Sequence, residues 1–428
     1  MKLHIIAFGC QMSVADSEEM TRALSRRGYI PVPDPEDADA ILLNTCTVRQ
    51  HAEDRAVSLI GRLKTWKELR PGRLLIVAGC AAERIAPWLR RRFPYIDLVA
   101  GARSIEQFPA LLEEALTTRR LRPSGNDEPP HDERSSAYVT IMRGCNYRCS
   151  YCIVPAVRGR ETSRPFAAVL QEVRERAAEG ALEITLLGQT VNAYRSADGR
   201  DFADLLRALG ALPGVERIRF ISPHPYYLTA ALTNAMADTP QVCPHLHLPA
   251  QSGSDRILER MCRSYTRRLF LERITAIRRR VPDLALSTDL IVGFPGESET
   301  DFAATLSLLD EADFCAAYCY KFSPRPGTAA AGFADRIPPE LQEERLARLL
   351  ARTDRMTRRH LDHLLHRRVQ VLLSDTTDGR TQYHFKARLN APRRAGTLVD
   401  AVVIGATRTA LKCAPANACD HSAIHDTV

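Results

Sequence analysis

The segment Gly144-Cys145-Asn146-Tyr147-Arg148-Cys149-Ser150-Tyr151-Cys152 constrains this chain more than any other: it is a C-x₃-C-x₂-C array directly behind the apolar run Tyr138–Met142. A short apolar run bounded by glycine reads as a buried strand, which puts the three thiols on a loop at a strand's end. Three thiolates on one loop can hold three irons of a [4Fe–4S] cube, and with no fourth local cysteine one iron stays open to an outside ligand. The competing reading is a structural zinc site. Zinc takes four ligands, commonly as paired C-x₂-C elements, and neither a histidine nor a fourth cysteine completes this loop.

Three more cysteines share one context. Phe8-Gly9-Cys10, Asn44-Thr45-Cys46 and Ala78-Gly79-Cys80 each follow an apolar run, Leu3–Phe8, Ala40–Leu43 and Leu74–Ala78, and the intervals of 36 and 34 residues are close to one strand–helix unit. In a parallel sheet all three emerge at the same carboxyl edge, where ligands of open α/β sheets bind. A single such cysteine reads as a packed thiol; three at equivalent strand ends point to a second three-thiolate site. Asp16, with Glu19 three positions on, is expected to cap the intervening helix and Gly28 to stop it.

The chain has twelve cysteines in 428 residues. Its first apolar run, ending at Gly9, is short for an export signal, and no run approaches the ~20 apolar residues of a membrane helix. A cytoplasmic protein without membrane association is therefore expected, with reduced thiols serving metal or catalysis rather than disulfides. Cys243, Cys262, Cys315, Cys319, Cys413 and Cys419 form no comparable array and read as core or surface thiols.

The fold class is α/β, in three segments. Residues 1–118 alternate strands and helices, implying a parallel sheet. A Pro-, Gly- and charge-rich stretch, 119–136, reads as a linker. Residues 137–360 carry about six βα units, with strands at Tyr138–Met142, Glu183–Leu187, Arg217–Ile221, His245–Leu248, Leu286–Val292 and Ala316–Lys321 and helices including Pro165–Ala178 and Arg267–Arg280. That is a partial (β/α)6 barrel, whose chemistry belongs at the carboxyl ends of its strands. A charged helix around Glu340–His363 leads into a small all-β module, 361–413, with strands at Val369–Leu373, Thr381–Leu389 and Thr397–Ile404 and turns at Asp378-Gly379 and Ala395-Gly396. Residues 414–428 read as a tail.

The net charge of +8 is mild, yet from Arg345 to Lys412 fifteen Arg and Lys face five Asp and no Glu. Charge concentrated in this way is the footprint expected of a nucleic-acid-binding segment. Tyr383, His384 and Phe385 lie among Arg380, Lys386 and Arg388, offering faces for base stacking, although Phe385 also reads as a core residue of the small module.

The Gly144–Cys152 array, with Tyr151 before its last cysteine, resembles the signature of the radical S-adenosylmethionine (SAM) superfamily, in which the open iron chelates SAM and an electron cleaves it to a 5′-deoxyadenosyl radical. Both cysteine sets, in this order, resemble the methylthiotransferase family over the chain up to about Lys412, and within it the branch acting on N6-isopentenyladenosine in tRNA. The matching stretches are Phe8–Met12, Leu43–Arg49, Gly79-Cys80, Gly144–Pro155, Leu186–Tyr194, His247–Ser254, Ile291–Glu297 and Ser323–Thr328. Ser13, Ala250 and Arg143 stand where Asn, Val and Glu are usual. The Gly379-Arg380-Thr381 region resembles the TRAM domain, a small RNA-binding β-barrel.

The resemblance implies two [4Fe–4S] clusters and SAM as cofactors. Cys145, Cys149 and Cys152 would hold the radical-generating cluster. Cys10, Cys46 and Cys80 would hold the sulfur-delivering one, and a second SAM would give the methyl group. It also implies tRNA carrying N6-isopentenyladenosine as substrate, a flavodoxin- or ferredoxin-type electron donor, an iron–sulfur or sulfur supply protein, and a monomer. Tyr151, Gln189, Asn192, Gln251, Ser252 and Ser254, at strand ends, are candidates to line the SAM and adenosine pocket; loop hydrogen bonding is their alternative. Three other functions remain open: methylthiolation of a protein side chain, methylthiolation of threonylcarbamoyladenosine, and a non-catalytic iron–sulfur protein that binds RNA or senses redox state.

Overall fold

A computed structural model of the chain describes residues 1–48, 50–118 and 135–416. Most of the stretch read as a linker, most of the C-terminal tail, Cys419 and Arg49 lie outside the described residues.

The N-terminal unit is a five-stranded, all-parallel sheet in the order Ile30–Pro31, Lys2–Ala7, Ala40–Thr45, Leu74–Gly79, Leu98–Gly101. Its two central strands, AILLNT and LLIVAG, are buried along their whole length, as expected of a parallel sheet covered by helices on both faces. The edge strands Ile30–Pro31 and Leu98–Gly101 were not anticipated; both are too short to show a periodic pattern.

Six parallel strands form the central unit. Ser136–Thr140, Glu183–Leu187 and Arg217–Phe220 make one triplet, and His245–His247, Ala285–Val292 and Ala316–Lys321 the other. A parallel bridge between Ile218 and Val242 joins them. The two units meet through apolar contacts: Met12 and Ala15 pack on Leu187, and Cys80 and Ala102 pack on Ile153 and Val157.

The C-terminal unit is a closed five-stranded barrel in the order Arg368–Leu373, Asp378–Thr381, Lys386–Leu389, Ala410–Pro415, Leu398–Ala406. It is held to the central unit by two buried arginines of the strand Arg217–Phe220. Arg217 donates to the carbonyls of Gln370 (2.5 Å) and Arg380 (3.1 Å), and Arg219 to those of Thr381 (2.7 Å) and Gln382 (3.1 Å). Glu183 balances their charge, 2.8 Å from Arg219.

Several local expectations are corrected. Asp16 does not cap the first helix. Gln11–Ser25 starts directly after Cys10, and Asp16 lies fully buried inside it, held by two arginines of the central unit. Asp378-Gly379 is not a turn but part of a strand; a Cβ on Gly379 would lie 2.2 Å from the Leu372 carbonyl oxygen, so the glycine allows close strand approach. The single strand expected over Thr381–Leu389 is broken at residues 382–385, where His384 takes φ 69°. The tail expected from residue 414 begins inside the strand Ala410–Pro415, whose alternate residues Leu411 and Cys413 are buried.

The stacking surface is also corrected: His384 stacks on His245 of the central unit at 4.9 Å, while Tyr383 and Phe385 pack against the barrel core. Much of the basic excess is paired as well. Along the helix Pro339–His363, Arg345 meets Glu297, Arg348 meets Glu299, Arg352 meets Asp310 and Arg359 meets Asp313.

Candidate active site

Residues at the carboxyl ends of both sheets line one cavity of about 270 Å³, and all six array cysteines are among them. Strand direction brings them there. Cys10, Cys46 and Cys80 each follow a strand of the same parallel sheet, and Cys145, Cys149 and Cys152 follow the first strand of the other.

Glycine makes both thiol groups possible. Gly79 has φ +98°, and a Cβ there would lie 2.2 Å from Asn44 Oδ1 and 2.4 Å from the Thr45 carbonyl oxygen. Gly144 has φ +76°, and its Cβ would lie 2.0 Å from the Arg160 carbonyl oxygen. Neither position admits a side chain, so the backbone turns close enough to aim the next cysteine inward. The loop following Cys46 is held from the central unit: Arg325 donates to the Val48 carbonyl at 2.8 Å and to Gln50 Oε1 at 2.9 Å.

The thiols differ in setting. A hydrogen bond from Cys46, the largest influence, lowers Cys10 to about 5 despite burial, and the same bond with burial raises Cys46. Burial raises Cys80 and Cys145, and pushes Cys152 up to about 12. Thr190 Oγ1 lies 3.5 Å from Cys145 Sγ, and Arg263 Nη1 donates to Cys149 Sγ at 3.3 Å.

Among the described residues, no three His, Cys, Asp or Glu side chains are drawn together as ligands of a single metal ion. Two sets of three thiols lining one cavity match the ligand count of a cube with one open iron rather than the four ligands of a tetrahedral zinc. Gln189 adds to the fit: it lines the cavity, and both its amide oxygen and nitrogen are buried without a partner. Such a group calls for a bound polar ligand.

Of the pocket candidates, Tyr151, Gln189 and Gln251 line the cavity and Asn192, Ser252 and Ser254 do not. Gln251 takes φ 67° and is held by the Asp289 carbonyl at 2.8 Å and the Ile291 amide at 2.9 Å. Ser252 Oγ lies 3.3 Å from Thr305 Oγ1, and Ser254 caps the helix Asp255–Arg260 and donates to Asp301 at 2.5 Å. Asn192 clamps the backbone of His224, accepting from its N–H at 2.7 Å and donating to its carbonyl at 3.0 Å.

The sequence reading missed His224, Arg158, Arg263 and Thr190. His224 lines the cavity and stacks on Tyr147 at 4.2 Å. Burial, then Arg263, lower it to about 3, so the ring is neutral. Its Nδ1 accepts from the Tyr226 N–H at 3.3 Å, which leaves Nε2 as an N–H donor without a protein partner. No spacing marks these residues, because each reaches the cavity from a separate segment.

A parallel six-strand arc with a three-cysteine loop behind its first strand defines a radical SAM enzyme. Residues 139–309 match the Radical SAM superfamily, and residues 2–101 match a model described as "Uncharacterized protein family UPF0004". The chain is 42% identical to the tRNA-2-methylthio-N(6)-dimethylallyladenosine synthase of Parafrankia sp. (strain EAN1pec), over 93% of this chain and 82% of that protein. It is 40% identical to the synthase of the same name from Caldicellulosiruptor saccharolyticus, over 89% and 84%. The chain belongs to the tRNA-2-methylthio-N(6)-dimethylallyladenosine synthase family. Among solved structures, the radical SAM methyltransferase TsrM from Kitasatospora setae, with cobalamin and a [4Fe–4S] cluster bound, shares the fold (TM-score 0.57, 16% identity, 77% of this chain and 76% of that one).

Proposed function

We propose that this protein methylthiolates C2 of N6-isopentenyladenosine at position 37 of tRNA, next to the anticodon. The observation that carries the reading is the meeting of two three-cysteine sets, from two separate sheets, on one cavity.

Cys145, Cys149 and Cys152 hold one [4Fe–4S] cluster and Cys10, Cys46 and Cys80 the other. Bound there, the clusters and SAM supply C–H activation, the sulfur atom and the methyl group. The chain's own residues position and exclude. Arg263 and Thr190 hold the thiols of the first set, and Gln189 offers an amide donor and acceptor to SAM or the adenine edge. His224 offers a neutral N–H, oriented by Asn192 and Tyr147. Tyr151, packed with Met261 and Phe294, closes the wall behind Cys152 and keeps water from the reacting atoms.

The C-terminal barrel supports tRNA as the substrate-bearing partner. It shares with Ser135, Ser136 and Glu183 a groove of about 640 Å³ lined by Arg380, Lys386, Arg388 and Lys412. Among the described residues no helix is long and apolar enough to cross a membrane. The reading includes a cytoplasmic monomer, a flavodoxin- or ferredoxin-type reductant, and a protein that resupplies iron–sulfur or sulfur.

The test is expression in bacteria that make isopentenyladenosine but cannot methylthiolate it, with tRNA nucleosides analysed by mass spectrometry. The 2-methylthio nucleoside is expected, and Cys149→Ala abolishes it together with SAM cleavage. Cys46→Ala retains SAM cleavage and loses sulfur insertion. Unchanged tRNA despite iron-loaded protein would overturn the reading.

A further inference from the structure

One buried carboxylate ties the two cysteine sets together, and the tie leaves a donor unused. Asp16 lies in the helix that begins directly after Cys10, and its side chain is 0% exposed. Its Oδ1 accepts from Arg143 Nη1 at 2.6 Å and its Oδ2 from Arg158 Nη2 at 2.7 Å. Arg143 stands two residues before Cys145 and Arg158 six after Cys152, so the carboxylate of one unit grips both flanks of the cysteine loop of the other.

Arg158 is spent only in part. Its side chain is 5% exposed, it lines the cavity, and its Nη1 is buried with no hydrogen-bond partner. A buried, unpaired guanidinium N–H is costly, so an anionic acceptor within the cavity would relieve it. The position of the group selects which one. Val157, the residue before Arg158, packs with Cys80, so Arg158 stands at the thiol set of the N-terminal sheet, while Arg263 stands at Cys149 on the other set.

We infer that Arg158 Nη1–H binds anionic sulfur at the Cys10–Cys46–Cys80 end of the cavity, with Asp16 as the positioning residue that aims it. The ligand class is a sulfide or thiolate presented at that end. The inference rests on the reading that these three thiols carry an iron–sulfur cluster.

The test uses the full chain carrying Cys145→Ala, Cys149→Ala and Cys152→Ala, reconstituted anaerobically, so that one cluster remains. Iron and sulfide content, the midpoint potential by electron paramagnetic resonance, and the Kd for added methanethiolate are measured with Arg158 present and in Arg158→Gln and Arg158→Lys. With iron content kept, Arg158→Gln is expected to move the potential negative and weaken methanethiolate by about tenfold to a hundredfold. Arg158→Lys restores most of the potential and less of the affinity, because it keeps the charge but not the forked geometry. Unchanged potential and affinity in Arg158→Gln would overturn the inference while leaving the cluster reading intact. Failure of the parent to bind iron would instead overturn the cluster reading. If Arg158→Gln itself loses iron, Asp16→Asn decides: it keeps the cation but loosens its aim, and wild-type affinity there overturns the inference.

Discussion

Gly79 shows how much one missing methyl group controls. A Cβ at this position would collide with Asn44 Oδ1 and with the backbone of Thr45, the residue before Cys46, and φ +98° is itself strained for any other residue. Asn44 in turn donates to the Ser13 carbonyl at 2.7 Å and to Ser17 Oγ at 3.0 Å, in the helix that starts after Cys10. Gly79→Ala therefore disturbs all three thiol positions at once. We expect it to destabilise the N-terminal unit by about 2 kcal/mol or more and to lower iron in the reconstituted protein to about half, one cluster of two. Full iron content in the variant would contradict this. Cys145, Cys149 and Cys152 were legible from their spacing on one loop, and Cys10, Cys46 and Cys80 because a strand end recurs at intervals of 36 and 34 residues. The polar residues were legible only as positions: Gln189 and Asn192 sit on the same loop, yet one faces the cavity and the other turns to the His224 backbone. Nothing local distinguishes them.

At the scale of elements, the seam between the central strands and the barrel is the part most open to pH. His384 stacks on His245, and burial, then the cations Arg219 and Arg380, lower His384 to about 3; burial also lowers His245. The neighbouring His247 lies 3.2 Å from Asp289 and 3.0 Å from Ser287 Oγ, and Ser287 Oγ lies 3.2 Å from His245. With the folded value of His384 below the unfolded 6.5, the unfolded chain binds the extra proton between these limits. Stability is thus full above pH 6.5 and falls as pH drops towards 3, by up to about 1.4 kcal/mol per pH unit for each such histidine. Urea unfolding at pH 7.5, 6.5 and 5.5 should show this decline, and His384→Gln should flatten it. Equal slopes would remove His384 from the account. The seam was invisible in the sequence, where Tyr383, His384 and Phe385 resembled a stacking platform. Tyr383 and Phe385 are covered by the barrel's own core and His384 by the docking of the barrel on His245, and alternation of apolar and polar residues does not report that docking. By contrast, Glu183–Leu187 and Arg267–Arg280 were legible to the residue, because the first is a largely apolar run buried along its length and the second buries Phe270, Ile274 and Ile277 at helical spacing.

For the whole molecule, the sequence's basic bias divides into two populations. The arginines of the helix Pro339–His363 are largely spent on Glu297, Glu299, Asp310 and Asp313, while Lys386 and Lys412 line the groove between barrel and central unit. Only cations that meet phosphate release counterions, so the two populations should separate in a salt titration of tRNA binding. Replacing Lys386 and Lys412 by alanine is expected to reduce the slope of log affinity against log salt by roughly one unit per lysine. Arg352→Ala should leave the slope unchanged. A reversed pattern would place the RNA on the helix instead.

The attachment of the barrel has a consequence of another kind. Arg217 and Arg219 grip it almost wholly by main-chain oxygens, at Gln370, Arg380, Thr381 and Gln382, with the Gln370 amide as the one side-chain contact. Carbonyl groups are common to every residue, so these arginine contacts are indifferent to what the barrel strands display, and the His384–His245 stack is the residue-specific contact beside them. Exposed barrel side chains are then free to drift, or to be exchanged wholesale, while the mounting on the catalytic unit is kept. The barrel is in this sense a replaceable fitting, and a change in which RNA is presented need not be accompanied by any change in the machinery that modifies it.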